Sequence, residues 1–497
     1  MKTFLSKIFS RVVNFKEEKW KKHPVSTQEQ LRRDLIKKAS NTNFGKDHHF
    51  KNIETHKNFV QNVPIRDYEG LKKYIDRVVA GESDVLWPGK PAYFAKTSGT
   101  TSGSKYIPIS KESMPFHIKS ARNALLNYIY EKKDAAFVKR KMIFLQGSPV
   151  LDDVNGVKTG RLSGIVAHYV PSYLQSNRMP SWETNCIEEW EPKVHQIVEE
   201  TYQEDMSLVS GIPPWIIMYF ESLQEKTGKK IGEVFPHLDL IVTGGVNFEP
   251  YRKKMNELIG REVDIIQTYP ASEGFIAYQD QIKNEELLLL LNHGIFYEFV
   301  PVDEIHHENP TRLTIGEVEL GVNYVLILTT NAGLWAYNIG DTVKFTSKDP
   351  YRIVVSGRVK HYTSAFGEHV IGKEVEDAIK HTNNKFDVRV SEFHVAPQAN
   401  PDQGRPYHEW FIEFETAPED LEAYRRELDV QMQSQNPYYL DLIQGNILET
   451  LHISKIEKNG FSAYMKSVGK LGGQFKLPRL ANDRKIADLL NQWKIKG

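Results

Sequence analysis

Between residues 238 and 268 an apolar run (Leu238-Asp239-Leu240-Ile241-Val242), a glycine pair (Gly244-Gly245), an amphipathic stretch (249–259) and a second strand-like run (263–268) follow one another without interruption. That order predicts a strand–loop–helix–strand unit. A similar run, Met142-Ile143-Phe144-Leu145, is also followed by a glycine-containing loop, so this part of the chain is expected to form a largely parallel, helix-covered sheet. In such sheets ligands sit beyond the carboxyl ends of the strands. Gly244-Gly245 and Tyr269-Pro270-Ala271-Ser272-Glu273 would both lie at that edge.

The flanking regions have a different pattern. Residues 1–90 read mainly as helices, with Ser26-Thr27-Gln28-Glu29 a capping start and Arg66 to Ala80 a second charged helix. After residue 295 the short runs 295–300, 314–320, 324–329 and 351–355 predict an antiparallel portion. Residues 361–497 combine helical segments (372–381, 418–434, 482–494) with strand-like runs (386–396, 408–414). They suffice for a small domain of their own. The expectation is an α/β protein with a large N-terminal domain of mixed sheets, 1–357, and a small α+β domain, 358–497, joined near Gly357-Arg358-Val359-Lys360.

Composition removes several classes of function. Sixty-four Lys+Arg balance 64 Asp+Glu, which excludes a broadly basic nucleic-acid binder. Cys186 is the only cysteine, so neither an intrachain disulfide nor a cysteine zinc cage can form, and a reducing, cytoplasmic setting fits best. The stretches 216–220 and 287–291 are too short to span a bilayer. Phe4, Leu5, Ile8, Phe9, Val12 and Val13 recur at helical spacing among Lys2, Lys7 and Arg11, predicting a basic amphipathic helix that docks on its own domain or lies on a membrane. The pairs His48-His49 and His306-His307 lack zinc-ligand spacing.

Three segments have the makings of a nucleotide site. Ala95-Lys96-Thr97-Ser98-Gly99-Thr100-Thr101-Ser102-Gly103-Ser104-Lys105 concentrates hydroxyls and glycines, whose backbone N–H groups can approach an anion closely. It is not a Walker A loop, because three residues separate its glycines and Ser104 precedes the lysine. Tyr269 to Gly274 sets an aromatic ring near the carboxylate of Glu273, the first able to stack on a purine and the second to hold Mg²⁺. Asn331-Ala332-Gly333-Leu334-Trp335-Ala336-Tyr337-Asn338-Ile339-Gly340-Asp341 places another carboxylate after a glycine turn, where it could accept the hydroxyls of a ribose.

In these three segments, in this order, the chain resembles the Gretchen-Hagen-type acyl acid amido synthetases. This is the auxin-responsive family of the adenylate-forming superfamily shared with acyl-CoA synthetases and luciferases. Ser210-Gly211-Ile212-Pro213-Pro214-Trp215 and Gly473-Gln474-Phe475-Lys476-Leu477-Pro478-Arg479 also look like family sequence. The resemblance implies an ATP-dependent ligase that adenylates a small carboxylic acid with MgATP and transfers the acyl group to an amino acid. It implies that Ser98, Gly99, Thr100 and Thr101 cradle phosphates, that Gly245, Val246, Asn247, Tyr269 and Ser272 surround the adenine, that Asp341 grips the ribose, and that Glu273 holds the metal.

Arg358 matches a superfamily arginine near the hinge, and Lys476 a mobile lysine completing the site. His117 and Arg122, on the helix expected from Ser113 to Tyr130, could face the acid or lie exposed. Glu249 and Glu298 read as a helix-start and a strand-face residue. The competing readings are an acyl-CoA ligase or another adenylating enzyme, and a nucleotide-binding relative without catalysis.

Overall fold

The computed structural model describes residues 2–97, 105–170, 176–246, 248, 251–305, 307–358, 362–363, 365–368, 370–468 and 477–495. The chain opens with five helices: α1 (Lys2–Lys21), α2 (Pro24–Ala39), α3 (Asn43–Asp47), α4 (His56–Asn62) and α5 (Tyr68–Val79). The expected Ser26 cap does not form. Pro24, whose missing N–H costs nothing in a first turn, starts α2 two residues earlier, and Ser26 Oγ donates to the His23 carbonyl at 3.3 Å. Asp67 caps α5 by accepting from the Gly70 N–H at 3.1 Å.

Two sheets carry the three candidate segments. Strands β1 (Tyr93–Thr97) and β2 (Lys105–Ile109) pair antiparallel, and β4 (Asp152–Val154) and β5 (Val157–Gly160) extend them in the order β2-β1-β5-β4. Helix α6 (Met114–Lys132) leads to β3 (Lys141–Phe144), followed by β6 (Arg178–Met179), helix α7 (Trp190–Thr201), β7 (Met206–Gly211), helix α8 (Pro213–Thr227), β8 (Leu240–Gly244), helix α9 (Arg252–Ile259) and β9 (Asp264–Ala271). The strands β6, β3, β7, β8 and β9 are neighbours and parallel, as the apolar runs predict.

The sheet then changes character at a hairpin. Strand β10 (Gly274–Gln281) returns antiparallel to β9, and β11 (Asn284–Leu289), β12 (Ile295–Pro301), β13 (Asn323–Thr330), β14 (Tyr337–Lys348) and β15 (Tyr351–Arg358) complete eleven strands in the order β12-β13-β14-β15-β11-β10-β9-β8-β7-β3-β6. Residues 314–320, expected as a strand, instead make a turn with an isolated bridge from Leu320 to Phe345, because Pro310, Gly316 and Gly321 interrupt the ladder. The antiparallel half encloses its own core, in which Tyr278, Tyr297, Phe299, Tyr324 and Phe345 are buried together.

Beyond Arg358 the short pair β16 (Tyr362–Thr363) and β17 (Val370–Ile371) precedes a three-stranded sheet of β18 (Arg389–Gln398), β19 (Tyr407–Thr416) and β20 (His452–Ile456). Helices α10 (Gly372–Phe386), α11 (Leu421–Gln435) and α12 (Pro437–Gln444) accompany it. One apolar cluster runs from Ile143, Val209, Ile241 and Phe248 into Phe366, Val375, Trp410 and Leu480, so this C-terminal unit packs on the parallel half of the sheet. Among the described residues no helix is long and apolar enough to cross a membrane.

Candidate active site

Strands β8 and β9 end side by side, with Gly244 opposite Thr268. A side chain at Gly244 would put its Cβ 2.5 Å from the Thr268 carbonyl oxygen, so only glycine allows the approach. Thr268 Oγ1 donates to the Thr243 carbonyl at 3.1 Å and ties the strand ends together. One residue on, Tyr269 is inside β9, its hydroxyl donating to the Asp341 carboxylate on β14. In sheet order β10, β11 and β15 lie between these two strands. The bond therefore requires the sheet to curl so that one face of β9 meets β14.

Asp341 is only 6% exposed, which makes a carboxylate there costly unless it is hydrogen-bonded. Its backbone is shaped locally: Asn338 Oδ1 accepts from the Gly340 N–H at 2.8 Å. Asp341 is also the cross-strand neighbour of Arg358, so two residues singled out from separate motifs occupy one register position of β14 and β15. Ser272 and Glu273 form the two-residue turn joining β9 to β10, both half-buried. Gly245 and Val246 follow β8 directly.

The first half of the third motif belongs to packing. Trp335 is fully buried, donates from Nε1 to the Leu86 carbonyl at 3.0 Å, stacks on Phe44 and packs against the edge of Phe50 and the tilted ring of Trp87. Gly333, at φ +91°, lies where a Cβ would be 2.8 Å from the Leu86 carbonyl carbon. Only the end of the motif, from Asn338 to Asp341, reaches Tyr269.

Thr97 and Lys105 pair at the end of the antiparallel strands β1 and β2, and the hydroxyl-rich loop is the connection between them in sequence. Ser98, Gly99, Thr100 and Thr101, like Asn247 and Lys476, lie outside the described residues, as does the side chain of Arg358. At the root of the loop the C-terminal unit makes contact. Tyr438 Oη on α12 donates to the Lys96 carbonyl at 3.1 Å, Arg161 pairs with Asp441, and the Arg161 guanidinium sits 5.0 Å over the Tyr438 ring. Sequence reading missed this contact, since nothing local marks two residues so far apart in the chain.

His117 on α6 is buried, its Nδ1 has no hydrogen-bond partner among the described residues, and burial lowers its pKa to about 4. Arg122 turns toward α1: its guanidinium lies 5.4 Å from the Phe9 ring and donates to Asn123 Oδ1 at 3.2 Å. Glu298, on β12, accepts two bonds from Arg312 at 2.9 and 2.6 Å and one from His56 at 2.7 Å. Burial would raise its pKa, but those partners hold it below the ordinary value. Glu249 lies outside the described residues. A cleft of about 440 Å³ lined by Tyr93, Leu151, His168 and Trp182 opens at the far end of β1, away from the loop root.

Residues 16–176 match the GH3 family N-terminal domain, 288–358 the GH3 family central domain and 373–485 the GH3 family C-terminal domain. Jasmonoyl–L-amino acid synthetase JAR4 of Nicotiana attenuata is 23% identical over 58% of this chain, a match spanning 60% of that protein. Jasmonoyl–L-amino acid synthetase GH3.5 of Oryza sativa subsp. japonica is 25% identical over 51% of this chain and 47% of its own length. For both, the match covers less than two thirds of the relative.

Indole-3-acetic acid-amido synthetase GH3.3 of Arabidopsis thaliana is 21% identical, with 93% of this chain and 90% of that protein aligned. Among solved structures, the GH3.15 acyl acid amido synthetase in complex with 2,4-DB superposes with a TM-score of 0.63 at 15% identity, covering 98% and 96% of the two chains. A 2-hydroxyisobutyryl-CoA ligase superposes at 0.59 and 13% identity over 96% and 92%, and both likenesses show the fold. With the three domain models matched in chain order, the protein belongs to the GH3 family.

Proposed function

We propose that this chain is an ATP-dependent acyl acid amido synthetase, a cytoplasmic ligase joining a small carboxylic acid to an amino acid. The observation that carries the reading is the Tyr269–Asp341 pair beside Gly244 at the carboxyl edge of β8 and β9, in a chain matched by all three GH3 domain models. In the first step a carboxylate oxygen of the acid displaces pyrophosphate from the α-phosphorus of ATP. In the second the amine nitrogen displaces AMP from the acyl carbon and loses a proton, leaving an amide.

Bringing two anions together is the main barrier of the first step, so positioning and charge neutralisation dominate. The loop residues Ser98, Gly99, Thr100 and Thr101 hold the phosphates. Gly245, Val246, Asn247, Tyr269 and Ser272 surround the adenine, and Asp341 accepts from the ribose. A Mg²⁺ ion supplies counter-charge; a site with the single turn carboxylate of Glu273 fits it, since Mg²⁺ is commonly bound by one or two carboxylates with substrate phosphates completing the shell. Arg358, beside Asp341 in register, and Lys476 supply positive charge at the reacting phosphate, and His117 and Arg122 are assigned to the acid. Residues 1–357 act as the substrate-binding domain and 358–497 as a lid.

The test is pyrophosphate release from MgATP across aryl, indole, jasmonate-like and fatty acids, each with and without an amino-acid mixture. Release that needs one acid and rises with amino acids supports the ligase. Release that rises only with CoA replaces it by the acyl-CoA ligase, and ATP binding without turnover on any acid replaces it by the non-catalytic relative.

A further inference from the structure

Helix α1 docks with the wrong face for an ordinary amphipathic helix. The face it buries against α6 holds Ser10, Val13, Asn14, Glu17 and Trp20. Glu17 accepts from Trp20 Nε1 at 2.8 Å and from Asn123 Nδ2 on α6 at 3.0 Å, with His293 Nε2 3.8 Å away, while Ser120 of α6 bonds His293 Nδ1 at 2.8 Å. At the other end Lys7 pairs with Asp134 at 3.6 Å. The docking is thus specific and largely polar.

The opposite face is apolar and open. Phe4, Leu5, Ile8, Phe9, Val12 and Phe15 are 42 to 81% exposed. At 3.6 residues per turn they form one continuous stripe, about 16 Å long from Phe4 to Phe15. Arg11 falls along one edge of it, Lys16 along the other, Lys19 continues it into the last turn, and Lys22 follows the helix end. The side chains of these four cations have no hydrogen-bond or ion-pair partner among the described residues. Residues 1–22 hold seven basic and two acidic residues in a chain balanced at 64 each. Of the two acids, Glu17 is buried and Glu18 is paired to Lys21 at 3.2 Å.

From this geometry we infer that the outer face of α1 is a docking surface for anionic phospholipid, with the helix lying flat in the interface. An apolar stripe edged by cations meets acyl chains with its rings while the lysine and arginine stems reach phosphate. The cationic edges choose this occupant over a second copy of the chain, whose identical face would set like charges against one another. The apolar stripe is short and lies on a docked helix, so it binds a surface and does not cross it.

The test is co-sedimentation of the full chain with phosphatidylcholine vesicles, with and without 30% phosphatidylserine (about one anionic lipid in three), at low and high salt. Binding that requires phosphatidylserine and weakens with salt is the expected result. Lys16→Gln with Lys19→Gln should lower the partition coefficient roughly 25-fold, and Phe4→Ser with Phe15→Ser should abolish binding. Because all four side chains are exposed, both variants keep the wild-type circular dichroism and melting temperature. Equal binding to neutral vesicles, no binding at all, or a dimer by light scattering that Phe15→Ser dissociates would each overturn the proposal.

Discussion

Tyr269 and Asp341 lie 72 residues apart in sequence with three strands between them in the sheet, yet the tyrosine hydroxyl donates directly to the aspartate carboxylate. The pair joins two motifs whose individual signals are weak. It also separates two contributions that substitution can resolve.

Asp341→Ala removes a charge-assisted acceptor and strands the Tyr269 hydroxyl. A loss of about 1.5–3 kcal/mol, or about ten- to a hundredfold in ATP affinity, is the expected outcome by calorimetry. Tyr269→Phe keeps the ring and should cost about 1 kcal/mol. Equal losses in the two variants would place the nucleotide's interaction on the hydroxyl, not on the ring and carboxylate separately.

Gly244→Ala forces a Cβ to within 2.5 Å of the Thr268 carbonyl oxygen, a backbone atom that cannot rotate away. Strands β8 and β9 must separate at the edge where the nucleotide is proposed to bind. Urea unfolding should show a destabilisation of about 1–3 kcal/mol, accompanied by weaker ATP binding. A stable variant with wild-type affinity would show that this edge does not shape the site.

Burial lowers the pKa of His117 from 6.5 to about 4, so between these values the unfolded chain binds a proton that the folded chain does not. Stability therefore is full above pH 6.5 and falls as the pH drops toward 4, by about 3 kcal/mol from this residue. His48, lowered to about 4 by burial and by Arg66, adds to the same slope. Urea midpoints measured at intervals from pH 7 to 4 should show it, and His117→Gln should flatten part of it.

The buried Glu298–Arg312 pair is a structural anchor of β12. Arg312→Leu leaves a buried carboxylate with only His56 beside it and should destabilise the chain by about 3–5 kcal/mol. Chemical denaturation of the double variant Arg312→Leu, Glu298→Leu should recover much of that loss. No recovery would mean that packing of the arginine stem, not charge, holds the strand.

Arg161 and Asp441 are roughly half exposed, so Asp441→Asn should change global stability by less than about 1 kcal/mol. Its effect is local. Together with Tyr438→Phe it releases α12 from the loop root and should speed limited proteolysis between residues 358 and 372. An unchanged cleavage rate would show that these contacts do not hold the C-terminal unit in place.

Local pattern determined the pieces of this protein. The apolar run of β8 is legible because a strand covered by helices is largely apolar, and its closing glycine because Gly244 alone permits the close approach of β9. The Asn338–Asp341 turn is likewise legible, since its shape is set by a short-range contact between Asn338 Oδ1 and the Gly340 N–H. Tertiary structure decided what those pieces become. It put Trp335 in the core and Asp341 against Tyr269, though both belong to one motif, because a curled sheet gives successive positions different surroundings. It also turned the polar face of α1 inward, where Glu17, Asn123 and His293 meet. Residues 106 positions apart in sequence, like Glu17 and Asn123, have no local spacing that reveals their contact, and only the folded chain brings them within hydrogen-bond distance.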